Sequence, residues 1–171
     1  ITTVKDENNE ITHYIASFAD LSQHKQQEAR IEHLSYQDHL TNLPNKSLFK
    51  QQVDRSISKQ QRLGLSAALL YIDIKDFKKF NDSMGHEIGD QILIQFAKRL
   101  SHIVRENAIV SRFGGDEFVI WIDDINNTRQ TAVYAATKQA LQIKQAFSKP
   151  VTIGDYDLQI SSHIGIAVFP D

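Results

Sequence analysis

The chain has 171 residues, of which 41% are hydrophobic and 23% charged, with no cysteine and a formal net charge of -2 at pH 7. This composition fits one globular domain plus an additional segment; it excludes a disulfide framework and argues against binding nucleic acid through general electrostatics. The longest apolar run, Ala67 to Ile72, is far shorter than the roughly 20 residues that a membrane-spanning helix needs, so we expect a cytoplasmic segment without membrane contact, whose parent protein can still carry an anchor upstream.

Residues 1–36 predict a hairpin and a helix that cannot form a domain by themselves. Two strands, Ile1 to Lys5 and Thr12 to Ala19, flank a polar stretch of the kind that turns a β-hairpin. From Ser22 to Tyr36 the chain is polar and helix-prone. Its sparse apolar stripe consists of Leu21, Ile31 and Leu34. Such a helix needs a partner, so we interpret it as a linker.

The pattern then becomes that of a packed domain. Asn45 can cap a helix whose apolar positions recur at a spacing of four. These positions are Phe49, Val53 and Ile57. The apolar run from Ala67 to Ile74 predicts a strand that is covered on both faces of a sheet.

A second long helix and a hairpin follow this strand. The helix is predicted by a continuous apolar face, which consists of Ile92, Leu93, Phe96, Leu100, Ile103 and Val104. Two strands, Ile109 to Phe113 and Glu117 to Ile122, are joined by the residues Gly114-Gly115-Asp116. Glycine adopts positive φ there without steric cost, so this is a tight turn.

The last part of the chain adds one helix and three strands. The helix is predicted from about Thr128 to Phe147 by the same periodicity. A turn at Gly154-Asp155 reverses a strand that begins at Val151, and a final strand runs from His163 to Phe169. This order of elements predicts an α+β fold with helices packed on a largely antiparallel sheet.

Two carboxylates are placed by these elements to share one site. Asp73 ends the interior strand, and Asp116 lies in the turn between the next two strands. Because consecutive elements usually lie side by side, the two carboxylates converge, and paired acidic oxygens suit Mg²⁺. Gly114 and Gly115 leave room for a triphosphate and expose amides that bind anions. Taken alone, each piece is more often an ordinary turn or loop residue; together they predict a nucleotide site.

Four ordered motifs carry a further signal. They are Asp38 to Lys46, Asp73 to Asp82, Gly85 to Asp90, and Arg112 to Phe118, the last of which contains Gly-Gly-Asp-Glu-Phe intact. In sequence and spacing they resemble the GGDEF family of diguanylate cyclases. The resemblance covers about residues 38–171 and implies a nucleotidyl-cyclase-like, ferredoxin-like palm, with a central, mostly antiparallel sheet flanked by helices.

The resemblance implies a metal-dependent catalytic site. Asp73, the backbone carbonyl of Ile74 and Asp116 would bind Mg²⁺ or Mn²⁺. Glu117 would be the further acidic group that turnover requires, either as a second metal ligand or in deprotonating the attacking hydroxyl. Asp73, Asp116 and Glu117 are therefore the expected catalytic residues.

The resemblance also implies how the nucleotide binds. Asn81 and Asp90 would read the guanine edge, since a carboxylate accepts from the base N–H groups while an amide both donates and accepts. Backbone amides near Phe77 and Lys78 would hold the terminal phosphates. For Asn81 and Asp90 the alternative is helix capping.

Three neighbouring positions are open to simpler interpretations. His86 is interpreted as a structural histidine in a turn. Arg112 either contacts a partner domain or the product, or lies on a solvated face of its strand. Lys75 stands where many family members have a second Asp, and we expect an altered local charge rather than loss of metal there.

The implied reaction joins two GTP molecules into cyclic di-GMP and releases two pyrophosphates. Each domain would hold one GTP, so a homodimer through the domain and the linker helix is the implied partner. The alternative is a GTP-binding regulatory module that controls a downstream phosphodiesterase domain. The active cyclase and the regulatory module would use the same nucleotide pocket.

Two departures from the family pattern affect regulation and activity. The family's inhibitory site uses Arg-x-x-Asp, and here Arg105 is present but Ala108 replaces the aspartate, so we predict weak or absent product feedback. Family domains continue beyond the strand that ends near Pro170 with another helix and strand, which bring a lysine and an arginine to the phosphates. We therefore expect a C-terminally truncated domain with weak GTP binding and slow or no turnover by itself.

The N-terminal part resembles the end of a PAS sensor domain. Residues 1–21 would be the C-terminal hairpin of that domain, residues 22–37 a signalling helix that pairs with its copy, and residues 38–171 the GGDEF domain. The sensor would then regulate the cyclase through the helix.

Overall fold

The computed structural model describes residues 2–5, 10–15, 36–104, 108–125 and 128–169. It divides into two units, Ile1–His33 and Leu34–Asp171. In the first unit, strands β1 (Thr2–Lys5) and β2 (Ile11–Ile15) pair antiparallel, as the hairpin pattern predicts. The predicted linker helix from Ser22 lies, apart from Tyr36, outside the described residues.

The second unit contains the helices and strands that the apolar patterns predict, together with one short helix, Phe77–Met84, that they do not. The elements are α1 (Lys46–Leu63), β3 (Ser66–Ile74), α2 (Phe77–Met84), α3 (His86–Ile103), β4 (Ala108–Gly114), β5 (Glu117–Ile125), α4 (Arg129–Ala146), β6 (Val151–Ile153), β7 (Tyr156–Leu158) and β8 (Ser162–Phe169). The side chain of Asn45 accepts hydrogen bonds from the amides of Ser47 and Leu48, which confirms its role as the cap of α1.

Four strands form the central sheet in the order β4-β5-β3-β8. All three neighbouring pairs are antiparallel. Because β3 and β5 lie in the middle, the end of β3 and the start of β5 meet next to the β4–β5 turn. Strands β6 and β7 form a separate small hairpin. The predicted α+β fold with an antiparallel sheet is therefore confirmed.

The main hydrophobic core lies between one face of this sheet and helices α3 and α4. The sheet contributes alternate residues of β3 and β5, such as Leu70, Ile72 and Ile120, and all three are fully buried. The helices contribute Phe96 and Ile143, also fully buried. Each such side chain stabilises the fold by about 1.5–3 kcal/mol through burial.

The second face of the sheet is covered only in part. Helix α1 packs Phe49 against Ala67 and Trp121, which are buried. Tyr71, further along β3, is 38% exposed. The prediction that β3 is covered on both faces is thus right near Ala67 and wrong near Tyr71, because α1 stops short of this end of the sheet. The uncovered end is where Asp73 lies.

Candidate functional site

The turn between β4 and β5 has a backbone that glycine alone adopts easily. Gly114 has φ 141° and Gly115 has φ 49°. A Cβ atom built on either residue would meet no other atom within 4 Å. The glycines are therefore required by the backbone conformation, and the space beside them is open to a ligand.

The turn places Asp116 next to the end of β3. The amide of Ile74 donates to the carbonyl of Asp116 at 3.3 Å. On the same pair of strands, Asp73 lies directly opposite Glu117. The structure thus brings together the three carboxylates that the sequence indicates as catalytic. The backbone of Ile74, whose carbonyl is the fourth expected ligand, lies beside them.

The charge in this cluster is only partly compensated. Burial raises the pKa of Asp116, and the negative charges of Asp73 and Glu117 raise it further, against the opposing effect of Arg112. Asp73 is half exposed, and its carboxylate lies 3.9 Å from the Nδ1 atom of His163 on β8. Excess negative charge of this kind favours a bound cation.

The donor set fits a hard divalent cation. Carboxylate and backbone carbonyl oxygens are the ligands that Mg²⁺ prefers, and it commonly takes one or two protein carboxylates with substrate phosphates and water. Among the described residues, no three His, Cys, Asp or Glu side chains form a group that could hold a metal by itself. Asp73, Asp116 and the Ile74 carbonyl offer oxygens of this kind, with Glu117 beside them, so the residues present fit a cation whose other ligands are phosphate and water.

Helix α2 begins immediately after this cluster. Its N-cap residue Asp76 has left-handed backbone geometry with φ 58°, which short polar residues tolerate best. The Asp76 side chain makes no capping hydrogen bond and instead pairs with Lys79 at 2.8 Å. The first amides of the helix, those of Phe77 and Lys78, are thus not capped by this side chain, consistent with the phosphate-binding role expected for them.

Asn81 and Asp90 lie on neighbouring helices, and neither is a helix cap. Asn81 is within α2 and Asp90 is the fifth residue of α3, because Gly85, with φ 86°, ends one helix and starts the next. A Cβ atom at Gly89 would collide with the Asn81 amide. The capping alternative is therefore wrong, and the glycine lets the Asn81 side chain lie against the turn of α3 that carries Asp90.

Arg112 is buried, with 8% of its side chain exposed. Its Nη1 atom donates to Asp38 at 2.9 Å, and its Nε and Nη2 atoms donate to the Gly115 carbonyl at 3.1 and 2.7 Å. The solvated-face interpretation of Arg112 is therefore wrong. The side chain is buried because it contacts Asp38, which lies 74 positions earlier in the chain. This contact ties the glycine turn to the segment before α1.

Asp38 is itself held by the loop that carries it. Its carboxylate accepts from the amide and the hydroxyl of Thr41 at 2.9 and 2.6 Å. The carbonyl of Pro44 accepts from the Arg112 amide and the Ser111 hydroxyl, which fixes the loop along β4. The first motif thus supports the turn.

The remaining predicted positions lie at the edges of this region. His86 is exposed at the first position of α3 rather than in a turn, and Lys75 is exposed next to the cluster. Arg105 of the inhibitory motif lies outside the described residues, whereas Ala108 begins β4. The product-feedback prediction stays a prediction.

Two side chains near the carboxylates were not indicated by the sequence. His163 pairs with Asp73 across β3 and β8, and Tyr71 lies two residues before Asp73 on β3, diagonal to Glu117. Burial raises the pKa of Tyr71, and the nearby carboxylates of Glu117 and Asp73 raise it further. Only the strand register brings these residues together; a polar tyrosine inside an otherwise apolar strand was the one available signal.

The antiparallel sheet and the acidic double-glycine turn define a cyclase-type α+β domain. Comparison with known families agrees, since the family model described as "Diguanylate cyclase, GGDEF domain" matches residues 35–171. The chain belongs to the GGDEF family.

Curated relatives and solved structures support this assignment. The chain is 34% identical over 163 residues to signaling protein YkoW of Bacillus subtilis and 36% identical over 137 residues to MucR of Pseudomonas aeruginosa, named as a bifunctional diguanylate cyclase/cyclic di-GMP phosphodiesterase. These matches cover 95% and 80% of the chain, but it spans only 20% and 19% of the relatives' lengths. The solved GGDEF domain of TpbB from Pseudomonas aeruginosa aligns with a TM-score of 0.72 at 32% identity, covering 79% of this chain and 76% of that one.

Within the part of the chain that the structure describes, no helix has both the length and the apolar composition needed to cross a lipid bilayer.

Proposed function

We propose that this chain is the catalytic domain of a diguanylate cyclase that joins two GTP molecules into cyclic di-GMP and releases two pyrophosphates. The observation that carries the proposal is the meeting of Asp73, Asp116 and Glu117 beside an open double-glycine turn. Relatives named as diguanylate cyclases support it. They do not favour a purely regulatory module.

The residues have separable roles in this proposal. Asp73, Asp116 and the Ile74 carbonyl hold the cation, and Glu117 either completes its ligand set or accepts the proton of the attacking 3′-hydroxyl. Bound Mg²⁺ supplies charge neutralisation at the phosphates and lowers the pKa of the hydroxyl. The amides of α2 receive the terminal phosphates.

Base recognition falls to the two helices beside the cluster. Asn81 and Asp90 present an amide and a carboxylate from neighbouring turns, the combination that matches the donor and acceptor edge of guanine. The packing of Asn81 against Gly89 supports this role, because it limits the positions that the amide can take. Adenine presents the opposite pattern and should bind poorly.

Two domains are required, because each contributes one GTP. We propose a homodimer through the GGDEF domain and the predicted linker helix of residues 22–37, with residues 1–21 as the end of an upstream PAS sensor that regulates the pairing. If product arises only when two loaded domains meet, the rate per domain rises with protein concentration. A rate per domain that is independent of concentration across the dimerisation range would contradict this model.

The test is product formation by the full-length parent protein from GTP and Mg²⁺, measured as cyclic di-GMP and pyrophosphate by chromatography and mass spectrometry. Glu117→Gln removes the charge while keeping the size, and should lower the rate by at least about 100-fold. Asp155→Asn, in the exposed β6–β7 turn, removes one charge elsewhere and should leave the rate unchanged. Tight GTP binding without any product, in protein that dimerises, would instead support the regulatory alternative.

A further inference from the structure

An imidazole lies beside the acidic cluster and has no part in the proposed function so far. His163, the second residue of β8, lies directly opposite Asp73 of β3. On its other side, Asp73 lies opposite Glu117 of β5. Directly opposed residues project from the same face of an antiparallel sheet. The three side chains therefore form a row across neighbouring strands, at the end of the sheet that α1 leaves uncovered.

The backbone is fixed on both sides of His163. Before it, the pairing of β8 with β3 includes Ser162 opposite Ile74. Beyond that pair, the amide of Lys75 donates to the carbonyl of Ser161 at 2.9 Å. After His163, the register is unbroken to the end of β8. A slip of one residue would move the imidazole to the opposite face of the sheet, so this paired backbone keeps it beside the acidic cluster.

The separation of the two side chains suits an ion that binds both. The Nδ1 atom of His163 lies 3.9 Å from the Oδ1 atom of Asp73, which is too far for a direct hydrogen bond. Two adjacent ligands of an octahedral ion, each about 2.1 Å from it, are roughly 3 Å apart, so a movement of about 1 Å would bring both atoms onto one ion. Both side chains have the freedom to move, because 69% of His163 and 48% of Asp73 are exposed.

A nitrogen ligand changes which cation a site prefers. Mg²⁺ takes oxygen ligands, whereas first-row transition ions also bind imidazole. We propose that Nδ1 of His163 is a further metal ligand of the site, and that the site therefore prefers a first-row transition ion such as Mn²⁺ to Mg²⁺. This inference rests on the proposed function. His163 and Asp73 supply two ligands, and oxygens of Asp116, phosphate and water supply the others.

The direct test is the detection of a histidine nitrogen on the bound ion. The full-length parent protein, labelled with ¹⁵N-histidine, is loaded with Mn²⁺ and the α,β-methylene analogue of GTP, which cannot release pyrophosphate. Electron spin-echo envelope modulation detects nitrogen bound to Mn²⁺, and the signal that depends on the nucleotide is the one compared. We expect a ¹⁵N coupling that His163→Ala abolishes. His102→Ala, at an exposed position in the last turn of α3, is the matched control and should keep the coupling.

Metal affinity provides the second test. With the analogue bound, His163→Ala should raise the dissociation constant of Mn²⁺ by at least about 10-fold, the lower limit for losing even a group that only supports a ligand. The dissociation constant of Mg²⁺, measured by competition, should change less than about two-fold, because Mg²⁺ keeps its oxygen ligands. Equal losses for the two ions, or no histidine coupling in wild type that binds Mn²⁺, would overturn the inference and leave the proposed function standing. If wild type binds no Mn²⁺ with the analogue, the proposed function fails and the inference with it.

Discussion

Removal of the Arg112 guanidinium should both destabilise the fold and slow the proposed reaction. In Arg112→Met the apolar stem is kept, while the ion pair with Asp38 and both hydrogen bonds to the Gly115 carbonyl are lost. Breaking a buried ion pair by removing one partner typically costs about 3–5 kcal/mol. Asp38 keeps its two bonds to Thr41 and is 13% exposed, so we expect a value near the lower limit, about 3 kcal/mol.

Urea unfolding at pH 7 measures this cost. The exposed Arg55 of α1 offers a matched control, and Arg55→Met should change the free energy of unfolding by less than about 0.5 kcal/mol. A double-mutant cycle with Asp38→Asn should give a coupling of about 1–3 kcal/mol. If Arg112→Met differs from wild type by no more than the control does, the guanidinium does not support the turn.

The loss of stability in Arg112→Met should also depend on pH, in a defined direction. Burial raises the pKa of Asp38, but the hydrogen bonds from Thr41 and Arg112 outweigh this, and the net pKa lies below its ordinary value. A carboxylate with a lowered pKa in the folded state stabilises the fold above its unfolded pKa, near 3.8, and this contribution is lost as the pH falls through the folded pKa. The difference between wild type and Arg112→Met should therefore be complete at neutral pH and shrink below about pH 4.

The catalytic consequence follows from the position of Gly115. Without its bonds to Arg112, the turn that carries Asp116 is free to shift, and displacements of about 1 Å can cost 100-fold in rate. We expect cyclic di-GMP formation by folded Arg112→Met to fall by about that factor. Full activity in a variant shown to be destabilised would mean that the ion pair serves stability alone.

Three further predictions concern other parts of the domain. Gly89→Ala should push the Asn81 amide aside and raise the dissociation constant of GTP about 10-fold by calorimetry; in an Asn81→Ala background the same substitution should have little further effect, and an equal loss in both would contradict the steric explanation. Arg99→Met removes three hydrogen bonds, to the carbonyls of Ala146 at the end of α4 and of Lys149 and Pro150 just after it, and should lower the unfolding free energy by about 1–3 kcal/mol in urea, whereas an unchanged midpoint would show that they add nothing. Ala108→Asp restores the family's inhibitory pair with Arg105 and should tighten cyclic di-GMP binding at least about 10-fold by calorimetry; tight binding to the unaltered chain that depends on Arg105 would contradict the prediction of weak feedback.

Local patterns were sufficient to predict the turn and every element of the second unit except the short helix Phe77–Met84. The cap at Asn45, the apolar run from Ala67 to Ile74 and the Gly114-Gly115 pair each depend on near neighbours in sequence. Their bounds shift by a few residues at most, as in β5, which runs on to Ile125. Of the neighbours in the sheet, only β4 and β5 are joined by a short connection, so their pairing alone follows from the local sequence.

The contacts that support the site could not be predicted in the same way. The Asp38–Arg112 pair joins residues 74 positions apart, and the position of His163 opposite Asp73 depends on how the last strand pairs. Periodicity carries no information about such partners. The capping alternative for Asp90 failed for a local reason, because a single glycine at position 85 both ends α2 and begins α3.

The groups that hold the glycine turn in place are different from the carboxylates that would carry the proposed chemistry. The backbone of the turn is fixed from two sides, since Arg112 binds the Gly115 carbonyl and the Ile74 amide binds that of Asp116. The carboxylates of Asp73 and Asp116 are therefore not needed to hold the chain in place, and repulsion from Asp73 adds to the effect of burial in raising the pKa of Asp116. A cation relieves this repulsion, so a site of this kind gains stability from its ligand. The double glycine serves both needs, because it permits the sharp turn and leaves the space above it open.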